Sequence, residues 1–293
     1  MTAPARVPRD LDGATASPPA GEDGAPGPPE GALAGAQVVD RVIDILEVFP
    51  RLGPELGVSE ISRALGLKKA TAHRLLAALR RRGIVAQDPV SRRYRLGMKL
   101  WELGSMATSQ VDWVDRVKPH LQHLTDQAGE TTHLAVLSDG QVLYVDKVES
   151  SRSLRMPSQV GRRLPVHCTG VGKALTAFLP DEVLRGLLLR RGMPRFTTAT
   201  ITDVETLQRE FAEVRRRGYA IDNEEIEEGL VCIAAPVRDH TTHVVAAVSI
   251  AGPLSRLRPE AATAAARHVV ETANAMSATL GCPPDLLRGL PDG

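Results

Sequence analysis

The sequence predicts a mixed α+β chain in two folded parts, a small helical unit closed by a hairpin and a larger antiparallel-sheet domain with helices. Three observations predict it. Apolar residues recur at helical spacing from Gln37 to Arg82, then alternate between Ile84 and Leu96. Beyond Val114, apolar runs joined at Asp139-Gly140 and at the polar turn Asp239–Thr242 lie at both ends of a helix-rich stretch, which favours antiparallel pairs over a doubly wound parallel sheet. Residues 1–34, by contrast, hold seven Pro, five Gly, eight Ala and no aromatic residue. So little apolar surface does not offset chain entropy, and the segment reads as a disordered tail.

The elements follow in order. In Gln37–Phe49 the residues Val39, Val42, Leu46 and Phe49 share a helical face, with Pro50 behind them. Ser59 is placed to cap a second helix, with Ile61 and Leu65 on one side, and Gly66 breaks it. A third helix runs from about Lys69 to Arg82 on Ala72, Leu75, Leu76 and Leu79, and Gly83 stands where a helix ends in a left-handed residue. Ile84–Gln87 and Arg93–Leu96 form a hairpin about Asp88-Pro89. Three short helices and a hairpin are the layout of a winged helix-turn-helix, assigned to residues 35–97. A linker helix on Leu100, Leu103 and Met106 falls within 98–113. In the domain at 114–282, a helix over Asp115–Ala128 precedes strands at Thr132–Leu137 and Val142–Val148. Helices follow at Gly172–Phe178, Asp181–Leu189 and Asp203–Arg217, then strands at Val231–Val237 and Val244–Ile250 and a helix after Pro259. Residues 283–293 are a C-terminal tail.

Hydrophobic residues make up 43% and charged residues 24%, ordinary for a globular chain. Aromatics at 3% exclude a surface that stacks bases on rows of rings. Three scattered cysteines, Cys168, Cys232 and Cys282, support neither a disulfide framework nor a structural zinc site. The first thirty residues lack the apolar core of a secretory signal, and no apolar stretch is long enough for a membrane span. A cytoplasmic protein with reduced thiols is expected.

The formal net charge of +1 hides a strong asymmetry. Residues 66–99 carry ten basic groups against one acidic, net +9, while the segments on either side are net acidic. The basic run coincides with the third helix and its hairpin, as expected where a recognition helix and wing meet duplex phosphate. Lys68, Lys69, Thr71, His73 and Arg74 lie at the start of that helix, whose N-terminal residues reach base edges in the major groove, and Arg92, Arg93 and Tyr94 belong to the wing.

Together these residues resemble a known family. Leu46–Phe49, Val58–Leu67, Thr71–Leu76 and Tyr94–Gly97 are similar to the DNA-binding half of IclR-type transcriptional regulators. Val160–Pro165, Gly170–Ala174, Arg217–Asp222, Glu225, Gly229–Val237 and Leu280-Gly281 are similar to the family's second half, so the resemblance spans about residues 37–281. It implies a GAF-like effector-binding domain, operator binding as a dimer, with a tetramer also open, and no cofactor. It further implies that a small organic acid is held by the backbone amides of Gly170 and Val171 and by Asp222, Cys232 and Ser249, with Met156 and Leu164 as apolar walls. Two departures stand. Ala70 replaces a Ser usual before the Thr of the recognition helix, and Ala251 replaces a second serine found in some members, which counts against a glyoxylate- or pyruvate-like ligand and allows a larger or less polar one. From the residues alone, Cys232 reads equally as a small core residue, Asp222 as a turn cap, and Ser249 as facing either a pocket or solvent.

Other chemistry fits less well. Gly170-Val171-Gly172-Lys173 lacks the earlier Gly and the following Ser or Thr of a phosphate loop. His120 with His123, and His240 with His243, have no partners at metal spacing and read as surface residues. The acidic cluster Asp222, Glu224, Glu225, Glu227 and Glu228 reads as a solvated loop. Two rivals to a regulator are an enzyme tethered to nucleic acid, with Cys232, His167 and Asp222 as a nucleophile triad, and an architectural DNA binder without an effector.

Overall fold

The computed structural model describes residues 30–109, 112–153 and 158–287. The chain divides into two compact units at Val111/Asp112. Most of the stretch read as a tail lies outside the described residues, as do Met156 and the end of the chain beyond residue 287.

The first unit contains α1 (Glu30–Leu52), α2 (Val58–Ala64), α3 (Lys69–Arg81), β1 (Val85–Gln87), β2 (Tyr94–Leu96) and α4 (Met98–Ser109). Helix α1 starts inside the expected tail, because Glu30–Ala34 follows Pro28-Pro29 and contains strong helix formers that the average composition of residues 1–34 concealed. It also runs through Pro50, which has no N–H to donate to the Leu46 carbonyl, and ends two residues later at Leu52. Helix α2 begins two residues earlier than a Ser59 cap implies: Gly57 is the cap, and its N–H donates to the Glu60 carboxylate at 2.6 Å. Gly83, at φ 71°, closes α3 as expected. Ile45, Phe49, Ile61, Leu76, Leu79, Val85 and Tyr94 form the core of the unit. The hairpin is tied to it by a bridge between Leu56 and Tyr94, with N···O distances of 2.9 and 2.8 Å.

The second unit contains α5 (Asp112–Ala128), β3 (Thr131–Ser138), β4 (Gln141–Val148), β5 (Arg163–Leu164), α6 (Gly170–Thr176), α7 (Asp181–Arg191), α8 (Val204–Arg217), β6 (Ala220–Asn223), β7 (Leu230–Arg238), β8 (Val244–Pro253) and α9 (Pro259–Thr279). A 3-10 turn follows at Pro284–Leu286. The six strands make one antiparallel sheet in the order β5-β4-β3-β8-β7-β6. Strand alternation gives the sheet two different faces. Leu134, Val231, Ile233, Val248 and Ile250 pack with α5 and α9. Ala135, Tyr144, Ala220, Ala234 and Ala247 pack with α6, α7 and α8. Where it meets α6, on β6, β7 and β8, the second face carries Ala220, Ala234 and Ala247, so α6 approaches those strands closely. A Cβ on Gly172 would stand 2.5 Å from the Val166 backbone, and one on Gly170 would stand 3.0 Å from Cys232 Sγ.

Candidate functional site

Helix α3 turns Ala72, Leu76 and Leu79 into the core of the first unit, and that orientation sends the intervening positions outward. Lys68, Lys69, His73 and Arg74 are exposed and Thr71 is half-buried, so five of the residues picked from the sequence share the outer start of one helix. Exposed Arg80, Arg81 and Arg82 continue the positive charge along it. In the wing, Arg92 is exposed at the turn, in the left-handed region at φ 58°. Arg93 is committed elsewhere: its guanidinium donates to the Glu55 carbonyl at 2.8 Å and pairs with Glu60 at 2.9 Å, tying the wing to α2. Tyr94 is corrected from an interface residue to a core residue. It is 3% exposed, because strand alternation and its bridge to Leu56 turn the ring inward.

In the second unit, Asp222, Cys232 and Ser249 converge on the sheet face that meets α6. Asp222 lies opposite Cys232 across β6 and β7, and Ser249 lies opposite Ala234 and His133 on its two neighbouring strands. Asp222 is buried, and its Oδ1 accepts from the Glu225 N–H at 2.8 Å, so it does cap the turn after β6. Burial, and then the Glu225 charge, push its carboxyl up to about 7. The Cys232 thiol is pushed up to about 12, by burial first and by Asp222 second. Ser249 faces inward, fully buried beside that thiol. Gly170 and Val171 open α6 behind the Thr169 cap, whose hydroxyl accepts from the Gly172 N–H at 3.2 Å. Leu164 is buried on β5, opposite Val142.

The acidic cluster is not uniformly solvated, which corrects the sequence reading. Glu227 and Glu228 are exposed, but Asp222 and Glu225 are buried. Glu225 is bonded to Lys173, the residue that mimics a phosphate-loop lysine in the sequence. Sequence reasoning also missed His133 and Tyr144, which stack at 4.6 Å and 20° on the same face as Ser249. Both stand in strand runs, where nothing separates a ligand-facing ring from a core one except the register of the sheet.

The thiol chemistry counts against a Cys232 nucleophile. A reactive cysteine needs a depressed pKa, and this one is held protonated by a dry site and a neighbouring carboxylate. Among the described residues no group of three or more His, Cys, Asp or Glu is placed to hold a metal ion.

Comparison with known proteins identifies the arrangement. The IclR helix-turn-helix domain matches residues 38–89, and the bacterial transcriptional regulator IclR C-terminal domain matches residues 105–278. The chain belongs to the IclR family. Among its relatives are the HTH-type transcriptional regulator XynR of Escherichia coli K12 and the HTH-type transcriptional repressor AllR of Klebsiella pneumoniae. XynR is 39% identical over 84% of this chain and 98% of its own length. AllR is 38% identical over 89% and 96%. The crystal structure of the Thermotoga maritima IclR shares 30% identity at a TM-score of 0.70, covering 85% of this chain and 99% of that one. An IclR homolog of Microbacterium hydrocarbonoxydans, solved as a complex with 4-hydroxybenzoate, shares 31% identity at a TM-score of 0.73, covering 83% and 98%.

This IclR-family chain is therefore a transcriptional regulator with an N-terminal DNA-binding domain and a C-terminal effector-binding domain, and not an enzyme. The rival readings, a tethered enzyme and an effector-free architectural binder, give way to it. No helix among the described residues is long and apolar enough to cross a membrane.

Proposed function

We propose that this regulator reads a double-stranded operator as a homodimer, or as a tetramer built from such dimers, in the cytoplasm. In this reading a small organic carboxylate, bound in the C-terminal domain, sets its operator affinity. The DNA-binding role of particular residues rests on one observation: Lys68, Lys69, His73 and Arg74 are exposed together at the start of α3, with Thr71 beside them. Their N-terminal placement suits base-edge contacts, and the three arginines at the other end of the helix suit phosphate. Arg92 supplies the wing contact, and Arg93 acts by fixing the wing. Tyr94 contributes to the core only.

For the effector, Gly170 and Val171 offer backbone amides to the carboxylate, Asp222, Cys232 and Ser249 line the polar part, and Leu164 is an apolar wall. The effector acts by its differential affinity for the DNA-competent and DNA-incompetent states, whose ratio fixes the size of the response. The test is a fluorescence titration of operator duplex with the full chain at several salt concentrations. Log affinity should fall linearly with log salt, at about −0.9 per phosphate neutralised. A flat salt dependence, or equal affinity for any duplex, overturns the reading. A thermal-shift screen of carboxylic acids, followed by the titration with and without the hit, tests the effector half.

A further inference from the structure

His133 Nδ1 is closed to solvent and has no hydrogen-bond partner, and Ser249 Oγ, equally closed, has only the weakly bonding Cys232 thiol beside it. Buried polar atoms are seldom left unpaired, because the lost solvation is not recovered. These two belong to one place: His133 on β3 is the direct cross-strand neighbour of Ser249 on β8. The face they share carries Cys232 beside Ser249, then Asp222 opposite Cys232. The imidazole is also held in position from two sides. It stacks on Tyr144, and its Nε2 meets Ser158 Oγ at 2.8 Å.

Burial, with the Lys147 charge adding to it, pushes His133 down to about 3, so the ring is neutral and offers a hydrogen bond rather than a charge. Which bond depends on the tautomer. If Nε2 donates to Ser158, Nδ1 is an acceptor; if Ser158 donates, Nδ1 carries the proton. A carboxylate oxygen can only accept and serves one case. A hydroxyl both donates and accepts, so it serves either tautomer and can bond the Ser249 hydroxyl as well.

We propose that His133 is a specificity-determining residue of the effector site, and that the effector is a carboxylic acid bearing a hydroxyl group that bonds His133 Nδ1 and Ser249 Oγ. This rests on the reading of that sheet face as the effector site. An analogue without the hydroxyl leaves His133 Nδ1 unpaired and Ser249 Oγ with a thiol alone, which sites of this kind discriminate against by about tenfold or more.

The test is isothermal titration of the full chain with three pairs of acids: glycolate and acetate, lactate and propionate, 4-hydroxybenzoate and benzoate. The expected result is a preference of about tenfold or more for the hydroxylated member of at least one pair. His133→Phe, which keeps a ring against Tyr144, should bring that ratio close to one, and so should Ser249→Ala. If His133→Phe does not fold, Ser249→Ala decides alone. Equal affinity within every pair that binds overturns the hydroxyl and leaves the site standing. A preference that survives both substitutions overturns the assignment to these residues. No binding of any of the six acids overturns the proposal and the site reading together.

Discussion

The Lys173 ammonium is bonded to the Glu225 carboxylate inside the C-terminal unit, with the two side chains 1% and 8% exposed. Glu210 stands 3.7 Å from the same ammonium and is itself bonded to Arg217 at 2.7 Å. The chain of charges joins α6 to the turn after β6 and to α8. That turn is held further by the Thr200 hydroxyl, which donates to the Glu225 carbonyl at 2.6 Å. Removing one partner of a buried pair leaves the other uncompensated, at a cost of about 3 to 5 kcal/mol. Lys173→Met should lower unfolding stability by that amount in urea titration. Adding Glu225→Gln should recover part of it, since the stranded carboxylate is then gone. A double variant no more stable than the single one would show that the pair acts by packing and not by charge.

This pair shows where a sequence stops being legible. Its partners lie 52 residues apart, in a glycine-rich motif and in an acidic run, and each alone suggests something else. Local signals fared better. The change from helical to alternating spacing near Gly83 marks the turn from α3 into the wing, and Asp139-Gly140 marks the β3–β4 hairpin. The two-residue β5 was missed because Arg163-Leu164 has no periodicity of its own and exists as a strand only through its pairing with Val142 and Leu143. Asp222, Cys232 and Ser249 were picked out by family resemblance. Their common face, and the place of His133 on it, follow from strand register, a long-range property.

Asp222 and His133 give stability opposite dependences on pH. The folded-state pKa of Asp222 is raised from 3.8 to about 7, so between those values the folded chain keeps a proton that the unfolded chain has lost. Its contribution to stability therefore falls as pH rises through that window. Asp222→Asn keeps an oxygen for the Glu225 N–H and removes the titration. The variant should gain on the wild type from about pH 4 to about pH 7 and then level off, by a few kcal/mol in all. His133 is depressed from 6.5 to about 3, so the unfolded chain takes up its proton first and the histidine's contribution is lost as pH falls through that range. His133→Phe should flatten the acid side of the curve. Urea melts at intervals of one pH unit separate the two, and a parallel pair of curves for Asp222→Asn and wild type would show that Asp222 ionises normally.

Three glycines make a graded test of packing. A Cβ on Gly172 would lie 2.5 Å from the Val166 backbone, and one on Gly97 would lie 2.1 Å from the Gly83 carbonyl oxygen. Backbone does not yield as a flexible side chain does, so alanine at either position should cost about 2 kcal/mol or more. The damage should be local: Gly172→Ala disturbs α6 and ligand binding, whereas Gly97→Ala disturbs the wing and DNA binding. Gly186 inside α7 has only the tip of Arg190 nearby, at 3.9 Å. Gly186→Ala should stabilise by about 0.5 to 1 kcal/mol, through lost freedom in the unfolded chain. Thermal unfolding of the three variants, read beside duplex and acid binding, checks all of these outcomes.

On the proposed reading the exposed positions of α3 make two kinds of contact, and salt separates them. Arg74 stands near the start of the helix, where the proposal places the base-edge contacts, while Arg81 stands in its last turn. Arg81→Ala should weaken every duplex alike and reduce the salt slope by about one unit. Arg74→Ala should cost about 1 to 3 kcal/mol on the operator and little on an unrelated duplex, so that it relaxes specificity. Arg93→Ala provides a contrast of a third kind. Because Arg93 fastens the wing to Glu55 and Glu60, its loss should lower the stability of the first unit while leaving the salt slope close to that of the wild type. Operator and random duplexes titrated at four salt concentrations resolve the three patterns, and an unchanged operator affinity for Arg74→Ala would move the recognition surface off the start of α3.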